Sequence, residues 1–205
     1  MIAIIDYGAG NIFSVKNALD YLGVESVLTS SKEDIINADG LILPGVGAFP
    51  SAMKMLNEKG LVEVIKEQSK QKYFLGICLG MQMIFEKSYE FEECDGLGLI
   101  KGKVDKIPAT DLIIPHMGWN KLEILNDCPL LKGLGKDEYV YFVHSYQAFC
   151  DDKNISAYCE YGGKVPALVY DGNFVFGCQF HPEKSGSVGL NILENFANLV
   201  KSERS

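Results

Sequence analysis

A cysteine between two glycines is the feature of this sequence that most suggests chemistry. Cys78 lies in Gly-Ile-Cys-Leu-Gly at residues 76–80, after an apolar run and before a helix-like stretch. This is the G-x-nucleophile-x-G pattern of a nucleophile elbow, with sulfur in place of a serine hydroxyl. Because a strand-to-helix turn is cramped, glycines two residues before and after Cys78 would prevent steric clashes. The N–H groups of the following helix would favour the thiolate, and the Leu79 N–H would bind an oxyanion.

The alternative interpretation is a buried structural thiol at a strand end, with the glycines present for packing. Free cysteines are usually small buried hydrophobic residues. We expect this of most of the six, at positions 78, 94, 128, 150, 159 and 178. The two interpretations differ in whether a base lies beside Cys78.

His181 is the best candidate for that base. A thiolate nucleophile in acyl transfer needs a histidine that a third group orients. Of the three histidines, His116 and His144 lack a well-placed acid, whereas His181 is followed by Pro182 and Glu183. Pro182 keeps the preceding residue extended, so His181 and Glu183 can lie on one face. The sequence therefore predicts a triad of Cys78, His181 and Glu183. The alternative is a loop histidine beside a solvated glutamate.

A second glycine-containing turn could complete an oxyanion site. Pro-Gly-Val-Gly at residues 44–47 follows a predicted parallel strand. Ligands of open α/β sheets collect at the carboxyl ends of the strands. Backbone N–H groups of Gly45, Val46 and Gly47 are therefore candidate oxyanion donors beside that of Leu79, although an ordinary turn would have the same composition.

The elements that must position these groups alternate between strand and helix in the first half. Such alternation predicts βαβ units and a doubly wound parallel sheet, and the continuous apolar runs predict strands that are covered on both faces. The predicted strands are Ile2–Ile5, Glu25–Thr29, Gly40–Leu43 and Tyr73–Ile77, and the predicted helices are 12–22 and 51–70, the latter interrupted near Gly60.

The second half has a largely antiparallel pattern. Asp-Gly-Asn at residues 171–173 predicts a hairpin between two of its strands, and residues 187–201 have the pattern of an amphipathic helix. The predicted strands are Leu97–Ile107, Trp119–Leu125, Tyr139–Phe149, Ile155–Tyr161, Ala167–Tyr170 and Phe174–Phe180. The predicted fold class is thus α/β: one domain over residues 1–205, with a mostly parallel open sheet and an antiparallel extension.

Composition argues against several other functions. A net charge of −8 disfavours a general nucleic-acid binder and binding to an anionic membrane surface. No apolar window is long enough for a transmembrane helix. The first residues lack the pattern of a signal peptide and predict a strand. We therefore expect a cytosolic chain with reduced cysteines.

No cofactor or metal is expected. The cysteines lack C-x-x-C spacing and the three histidines are scattered, which argues against zinc. Gly8-Ala9-Gly10 could begin a dinucleotide-binding fingerprint, but Phe13 occupies the place of its third glycine. A tight turn is therefore the better interpretation.

Together these motifs resemble a known family. Gly-Ile-Cys-Leu-Gly-Met-Gln at residues 76–82, with His-Pro-Glu at 181–183, resembles the class I (triad-type) glutamine amidotransferases. Further segments are similar to the glutaminase subunits of imidazole glycerol phosphate synthases, and they extend along the whole chain: residues 6–11, 43–49, 115–120, 144–146 and 181–185.

The resemblance implies a reaction and a partner. Cys78 would attack the side-chain amide of L-glutamine, and Gln82 matches the family's glutamine-binding position. Backbone around His144, Ser145 and Tyr146 would hold the α-amino and carboxylate groups. The ammonia would pass to a (β/α)8-barrel cyclase subunit in a heterodimer, which makes imidazole glycerol phosphate and an aminoimidazole carboxamide ribotide in histidine biosynthesis.

The resemblance also suggests an interface and its regulation. Trp119, Asn11 and Lys184 match interface positions, although Trp119 could equally pack in the core and the other two could be ordinary surface residues. In the family, the isolated subunit is nearly inactive because an oxyanion donor in the Gly45–Gly47 loop is misdirected until the partner binds its ligand.

Three alternatives remain open at this point. A paralogous glutaminase could supply ammonia to another synthase. The elbow could belong to a stand-alone cysteine hydrolase, or the chain could be an inactive interaction module.

Overall fold

A computed structural model describes residues 1–108 and 112–202 of the chain. In the first half, all predicted strands and helices are present, and the 51–70 pattern forms two helices. The helix α2 is not apparent from the sequence, because six residues with one buried side chain are too few for a clear helical period. The elements are β1 (Ile2–Ile5), α1 (Ile12–Tyr21), β2 (Ser26–Thr29), α2 (Lys32–Asn37), β3 (Gly40–Gly45), α3 (Phe49–Glu58), α4 (Val62–Gln68), β4 (Tyr73–Cys78) and α5 (Leu79–Met83).

In the second half, strands predominate, as predicted. The elements are β5 (Phe85–Ser88), β6 (Cys94–Asp95), β7 (Ile100–Lys106), β8 (His116–Lys121), β9 (Glu123–Ile124), β10 (Tyr139–His144), β11 (Tyr146–Phe149), β12 (Ile155–Glu160), β13 (Lys164–Tyr170), β14 (Val175–Cys178) and the closing helix α6 (Gly186–Ser202). Single 3₁₀ turns lie at Pro129–Leu131, Asp152–Asn154 and Pro182–Lys184. The short strands β5 and β6 are additional to the predicted ones.

An eight-stranded sheet joins the two halves, in the order β2-β1-β3-β4-β14-β13-β12-β9. The first five of these strands are parallel, and the remaining three continue the sheet in antiparallel fashion. The hairpin between β13 and β14 contains the predicted turn at residues 171–173. The predicted α/β fold class, with its antiparallel extension, is confirmed.

Two predicted strands are wrong in one respect, because each is split between different sheets. The segment Tyr139–Phe149 forms β10, which pairs with β8, and β11, which pairs with β7. Only Ser145 lies between them. The segment Trp119–Leu125 is likewise divided between β8 and β9. A continuous apolar pattern indicates extended backbone but does not indicate where the chain changes sheets.

The core lies on both faces of the large sheet, as the apolar runs predict. Ile2 and Ile4 point to the face that α1 and α6 cover, and Ala3 and Ile5 point to the face of α3 and α4. Strands with both faces covered leave the carboxyl ends of the parallel strands as a place for chemistry. Among the described residues, no helix has the length and apolar character needed to cross a membrane.

Candidate active site

Cys78 lies on a sharp turn between β4 and α5. Its φ of 55° and ψ of −111° place it in a region that side chains other than glycine rarely adopt. A Cβ on Gly76 would lie 2.6 Å from the Gly80 carbonyl oxygen, and one on Gly80 would lie 1.8 Å from the Leu43 carbonyl oxygen. The spacing of the two glycines therefore follows from close backbone packing around a strained cysteine, which is the geometry of an elbow.

His181 and Glu183 form a buried pair. His181 Nδ1 lies 2.8 Å from Glu183 Oε1, and both side chains are almost fully buried. Because the carboxylate can only accept, it fixes the N–H on Nδ1 and leaves Nε2 for the sulfur. Burial by itself lowers the pKa of His181, but hydrogen bonding and attraction from Cys78 and Glu183 outweigh it and raise the pKa to about 9.

Strand β10 holds the His181 segment in place. The His181 N–H donates to the Tyr141 carbonyl at 3.0 Å, and the Tyr141 N–H donates to Ser185 Oγ at 3.0 Å. Ser185 Oγ in turn donates to the His181 carbonyl at 2.7 Å. The base is thus fixed by backbone as well as by Glu183. Sequence reasoning misses the role of Ser185, since a serine one turn beyond the triad carries no distinguishing pattern.

Cys78 and His181 line one cleft of about 570 Å³. The volume is in the usual range for small-molecule sites. Of the predicted oxyanion residues, Val46, Gly47 and Leu79 also line this cleft. Gly45 lies behind it at the end of β3, in register with Cys78 on β4. Gly47 has a φ of +95°, which favours glycine in this loop.

The predicted substrate-binding residues Gln82, His144, Ser145 and Tyr146 line the same cleft. Gln82 Nε2 donates to the Tyr146 carbonyl and to Gln179 Oε1, each at 3.0 Å. Both N–H groups of the Gln82 amide are therefore used within the protein, and Oε1 is the atom left for a substrate. Gln179, which is fully buried and accepts from Gln82, is not among the site residues that the sequence predicts.

The segment 143–146, which spans the end of β10 and the start of β11, passes close to Cys78. The Cys78 thiol donates to the Val143 carbonyl, with 3.9 Å between sulfur and oxygen. His144 Nδ1 lies 2.8 Å from the Tyr146 carbonyl, and His144 Nε2 lies 2.9 Å from His116 Nδ1. Burial lowers the pKa of His116 to about 4 and that of His144 to about 3. These two histidines are neutral near pH 7.

Glu90 and Phe91 line the cleft as well, and neither is among the predicted site residues. The Glu90 carboxylate accepts the Phe49 N–H at 2.8 Å, and burial raises its pKa. Phe91 is 83% exposed at a φ of 63°. Their segment, Tyr-Glu-Phe-Glu-Glu, has an acidic pattern typical of a solvated loop, so no local signal marks them as part of a site.

The other five cysteines are poor nucleophiles. All six are free thiols. Burial raises the pKa of each of the other five, to about 12 for Cys150 and Cys159. Since the thiolate is the reactive form, a raised pKa makes the thiols at 94, 128, 150, 159 and 178 less reactive near neutral pH.

The three predicted interface residues lie outside the cleft. Trp119 is 53% exposed and contacts the Tyr141 ring edge-on, with 6.0 Å between ring centroids. Lys184 is exposed in the turn that carries Glu183. Asn11 is half-buried before α1 and accepts from the Ser14 hydroxyl at 2.7 Å. Trp119 is therefore not a core residue.

No group of three or more His, Cys, Asp or Glu residues suited to a metal ion occurs in the described part of the chain. The chemistry available in the cleft is that of a thiol, an imidazole, a carboxylate and backbone N–H groups. This set is sufficient for acyl transfer through a covalent thioester.

A family model describes most of the chain. Residues 3–199 match the model "Glutamine amidotransferase class-I". The "Imidazole glycerol phosphate synthase subunit HisH" of Bacillus cereus (strain G9842) is 53% identical over 206 residues, which cover 100% of this chain and 98% of that protein. The protein of the same name from Bacillus anthracis (strain A0248) is 50% identical over the same shares of the two chains.

Solved structures of lower identity share the fold. A putative GMP synthase protein from Thermoplasma acidophilum has a TM-score of 0.76 at 22% identity, over 99% of this chain and 94% of that one. The structure of PurLQS from Thermotoga maritima has a TM-score of 0.74 at 22% identity, over 97% and 98% of the two chains.

Proposed function

The chain belongs to the class-I glutamine amidotransferase family, and on that premise we propose that it is the glutaminase subunit of an imidazole glycerol phosphate synthase. It hydrolyses L-glutamine to glutamate and ammonia, and the ammonia passes to a (β/α)8-barrel cyclase subunit of histidine biosynthesis. The observation that carries this proposal is the strained Cys78, which shares a cleft with the glutamate-held His181. Relatives that bear the synthase name and match over the full length of the chain support the choice of partner.

In the first step, Cys78 Sγ forms a bond to the side-chain carbonyl carbon of glutamine. The proton shared by the Cys78–His181 pair is on His181 Nε2 when this bond forms, because the pKa of His181 is raised to about 9, and the carbonyl oxygen becomes an oxyanion. Backbone N–H groups of Leu79 and of the Val46–Gly47 loop stabilise that charge. His181 then gives its proton to the departing nitrogen, the C–N bond breaks, and ammonia leaves a glutamyl thioester on Cys78.

In the second step, water replaces ammonia. His181 Nε2 takes a proton from water as its oxygen attacks the thioester carbonyl, and the C–S bond breaks to release glutamate and the thiol. The Glu183 carboxylate accepts from Nδ1–H of His181, with 2.8 Å between Nδ1 and Oε1, so that Nε2 faces the reaction, and it stabilises the imidazolium.

The substrate, glutamine, carries an α-ammonium group, an α-carboxylate and a neutral side-chain amide. Gln82 Oε1 and the Glu90 carboxylate supply acceptors in the cleft for the α-ammonium group. Ser145 lines the cleft at the one-residue break between β10 and β11, and its carbonyl accepts from the Ile107 N–H at 3.2 Å. We assign the α-carboxylate to this break.

The partner binds across the open end of the cleft. Trp119, Lys184 and Asn11 form the proposed contact, because Trp119 and Lys184 are exposed and Asn11 immediately precedes α1, which lies against the turn that carries Lys184. Large exposed aromatic side chains are common anchors of interfaces.

We further propose that residues 1–205 act as one glutamine amidotransferase domain, which the sheet joining both halves supports. A reducing cytoplasm would keep the six free thiols intact.

Reconstitution with the cyclase subunit tests this proposal. The wild-type complex should make imidazole glycerol phosphate from either glutamine or ammonium salts. The variant Cys78→Ala should lose glutamine-dependent synthesis while ammonia-dependent synthesis stays unchanged. Cys94→Ala, a half-buried thiol outside the cleft, serves as the matched control and should retain both. Glutamine-dependent synthesis by Cys78→Ala at the wild-type rate would refute the proposal.

A further inference from the structure

A chain of hydrogen bonds connects strand β8 to the floor of the cleft. It begins at His116 on β8, continues through His144 at the end of β10, and reaches the Tyr146 carbonyl at the start of β11. The same carbonyl accepts from Gln82, whose amide also binds Gln179. Five buried or partly buried polar side chains and carbonyls are therefore connected in sequence. None of the contacts in the chain is longer than 3.0 Å.

The direction of each hydrogen bond follows from the last acceptor. A carbonyl oxygen can only accept, so His144 Nδ1 must carry a proton to bind Tyr146. A neutral His144 then has an unprotonated Nε2, which can only accept, so His116 Nδ1 must donate to it. Both rings are thereby held in the Nδ1–H form. The arrangement has one consistent set of protons, and removing His116 removes the only donor that His144 Nε2 has in it.

The surroundings of His116 keep its ring in this orientation. The imidazole lies between Tyr161 and Phe142, with centroid distances of 3.9 and 4.8 Å and interplanar angles of 21° and 23°. The Tyr161 hydroxyl donates to the Ile113 carbonyl at 2.6 Å, which fixes one side of this aromatic stack. An apolar side chain would fill this space as well, so packing alone does not require a histidine with a directed N–H.

We propose that His116 is a positioning residue for glutamine. Its Nδ1–H donates to His144 Nε2 and so reinforces the Nδ1–H tautomer of His144, which holds the Tyr146 carbonyl where that carbonyl accepts from the Gln82 amide in the cleft. His116 itself does not line the cleft. The inference rests on the proposed glutaminase function, since it assigns a purpose to the shape of the glutamine-binding surface.

The position of His116 also explains why strand β8 matters to the cleft. Along β8, His116 is buried, whereas Met117 and Trp119 are 61% and 53% exposed. The exposed side chains of the strand thus belong to the proposed partner surface, whereas the buried His116 supports the cleft. The antiparallel register of the strand pairs His116 directly with His144.

Histidine spectra test the arrangement without any enzymatic assay. The chain has only three histidines, so long-range ¹H–¹⁵N spectra of the full chain can be assigned with few variants. At pH 7, His116 and His144 should both be neutral Nδ1–H tautomers. In His116→Phe, which keeps an aromatic ring in the stack, His144 should lose the pure Nδ1–H signature. An Nε2–H tautomer for His144 in the wild-type chain would overturn the proposal, even if the variant failed to fold.

Glutaminase kinetics in the complex with the cyclase subunit test the consequence. Loss of one buried hydrogen bond should raise KM for glutamine about tenfold in His116→Phe, with kcat within about threefold of wild type. His116→Asn, whose amide N–H can replace Nδ1–H, should restore most of the affinity. Asn120→Ala is the matched control, because it removes a side-chain hydrogen bond of β8 to the Glu160 carbonyl away from the cleft.

The outcomes separate the two proposals. If the wild-type complex does not hydrolyse glutamine, the proposed function fails, while the spectra still report on the histidine pair. If it does, and His116→Phe has the wild-type KM, or if His116→Asn is no better than His116→Phe, the positioning role is refuted.

Discussion

The chain buries its three histidines in two opposite ways. His181 lies against a carboxylate, and its pKa is raised to about 9. His116 and His144 lie against each other and a carbonyl, and their pKa values fall to about 4 and 3. Burial acts in the same direction on all three, because it disfavours the charged form. The groups beside His181 therefore reverse the effect of burial, which prevails at His116 and His144.

The difference in pKa between His181 and the pair His116–His144 matches two different roles of a histidine. A general base must take and return a proton, so an imidazolium has to be stable beside Cys78, and Glu183 provides that stability. A positioning group must keep one set of hydrogen bonds, which a change of charge would disturb. The pair His116–His144 remains neutral near pH 7 because burial lowers both pKa values, although the Tyr146 carbonyl by itself raises that of His144.

The largest effect is expected where the carboxylate is removed. Glu183→Gln should lower kcat for glutamine by about a hundredfold to ten-thousandfold, since His181 loses its orienting and charge-stabilising partner. In the wild type, kcat/KM should fall above about pH 9, where His181 loses the proton that the departing nitrogen needs. In the variant this fall should move to lower pH. Steady-state rates across pH in the reconstituted complex measure both effects.

Glu183→Gln replaces the carboxylate by an amide of the same shape. His181 then has no carboxylate beside it, as is already the case for the neutral pair His116–His144. Ammonia-dependent synthesis is the internal control, because Glu183→Gln should leave it unchanged. A variant that kept the wild-type kcat and the same alkaline limit would show that the carboxylate does not set the charge of His181.

A smaller effect separates the two faces of β8. Trp119→Ala should weaken binding of the cyclase subunit about tenfold or more, as truncation of a central aromatic anchor does, and should leave KM for glutamine unchanged at saturating cyclase. His116→Phe should raise KM for glutamine and leave binding of the cyclase subunit unchanged. Titration calorimetry and glutaminase assays on the two variants give the comparison. If both variants changed cyclase binding and KM for glutamine to the same extent, the separate roles that we assign to the two faces of β8 would be refuted.

The smallest effect concerns the stability of the neutral pair. An unfolded histidine has a pKa of about 6.5, so the unfolded chain binds protons on His116 and His144 between about pH 6.5 and 4, and the native chain does not. The free energy of unfolding should therefore decrease as pH falls through this range, by up to about 1.4 kcal/mol per pH unit for each histidine.

Denaturant titrations at several pH values measure that slope. In His116→Asn, the slope should be smaller, since one of the two groups is gone and every carboxylate is unchanged. An identical slope for wild type and variant would mean that His116 is not held neutral by the fold.

Much of this architecture can be predicted from the sequence, because local patterns reflect local causes. Glycines two residues on each side of Cys78 indicate a cramped turn, and in the structure a Cβ on Gly80 would overlap the Leu43 carbonyl. The spacing of His181 and Glu183 at i and i+2 indicates a shared face, and they lie 2.8 Å apart. The alternation of strands and helices predicts the parallel sheet.

What cannot be predicted depends on contacts between distant segments. His116 and His144 are poor candidates for a base because neither has an acid near it in the sequence, yet a strand pairing across 28 residues brings them together. Glu90 lines the cleft, and its carboxylate accepts from the N–H of Phe49, which is 41 residues away in the sequence. The break at Ser145 likewise depends on two sheets that no local pattern describes.

The central claim is that Cys78 is the one reactive thiol and that it reacts with glutamine's side chain. A glutamine analogue with a chloroketone in place of the amide should alkylate the chain in the cyclase complex, and peptide mass spectrometry should find the adduct on Cys78 alone among the six cysteines. An excess of glutamine should prevent the labelling. Labelling of another cysteine at an equal rate, or of Cys78 without protection by glutamine, would contradict the account.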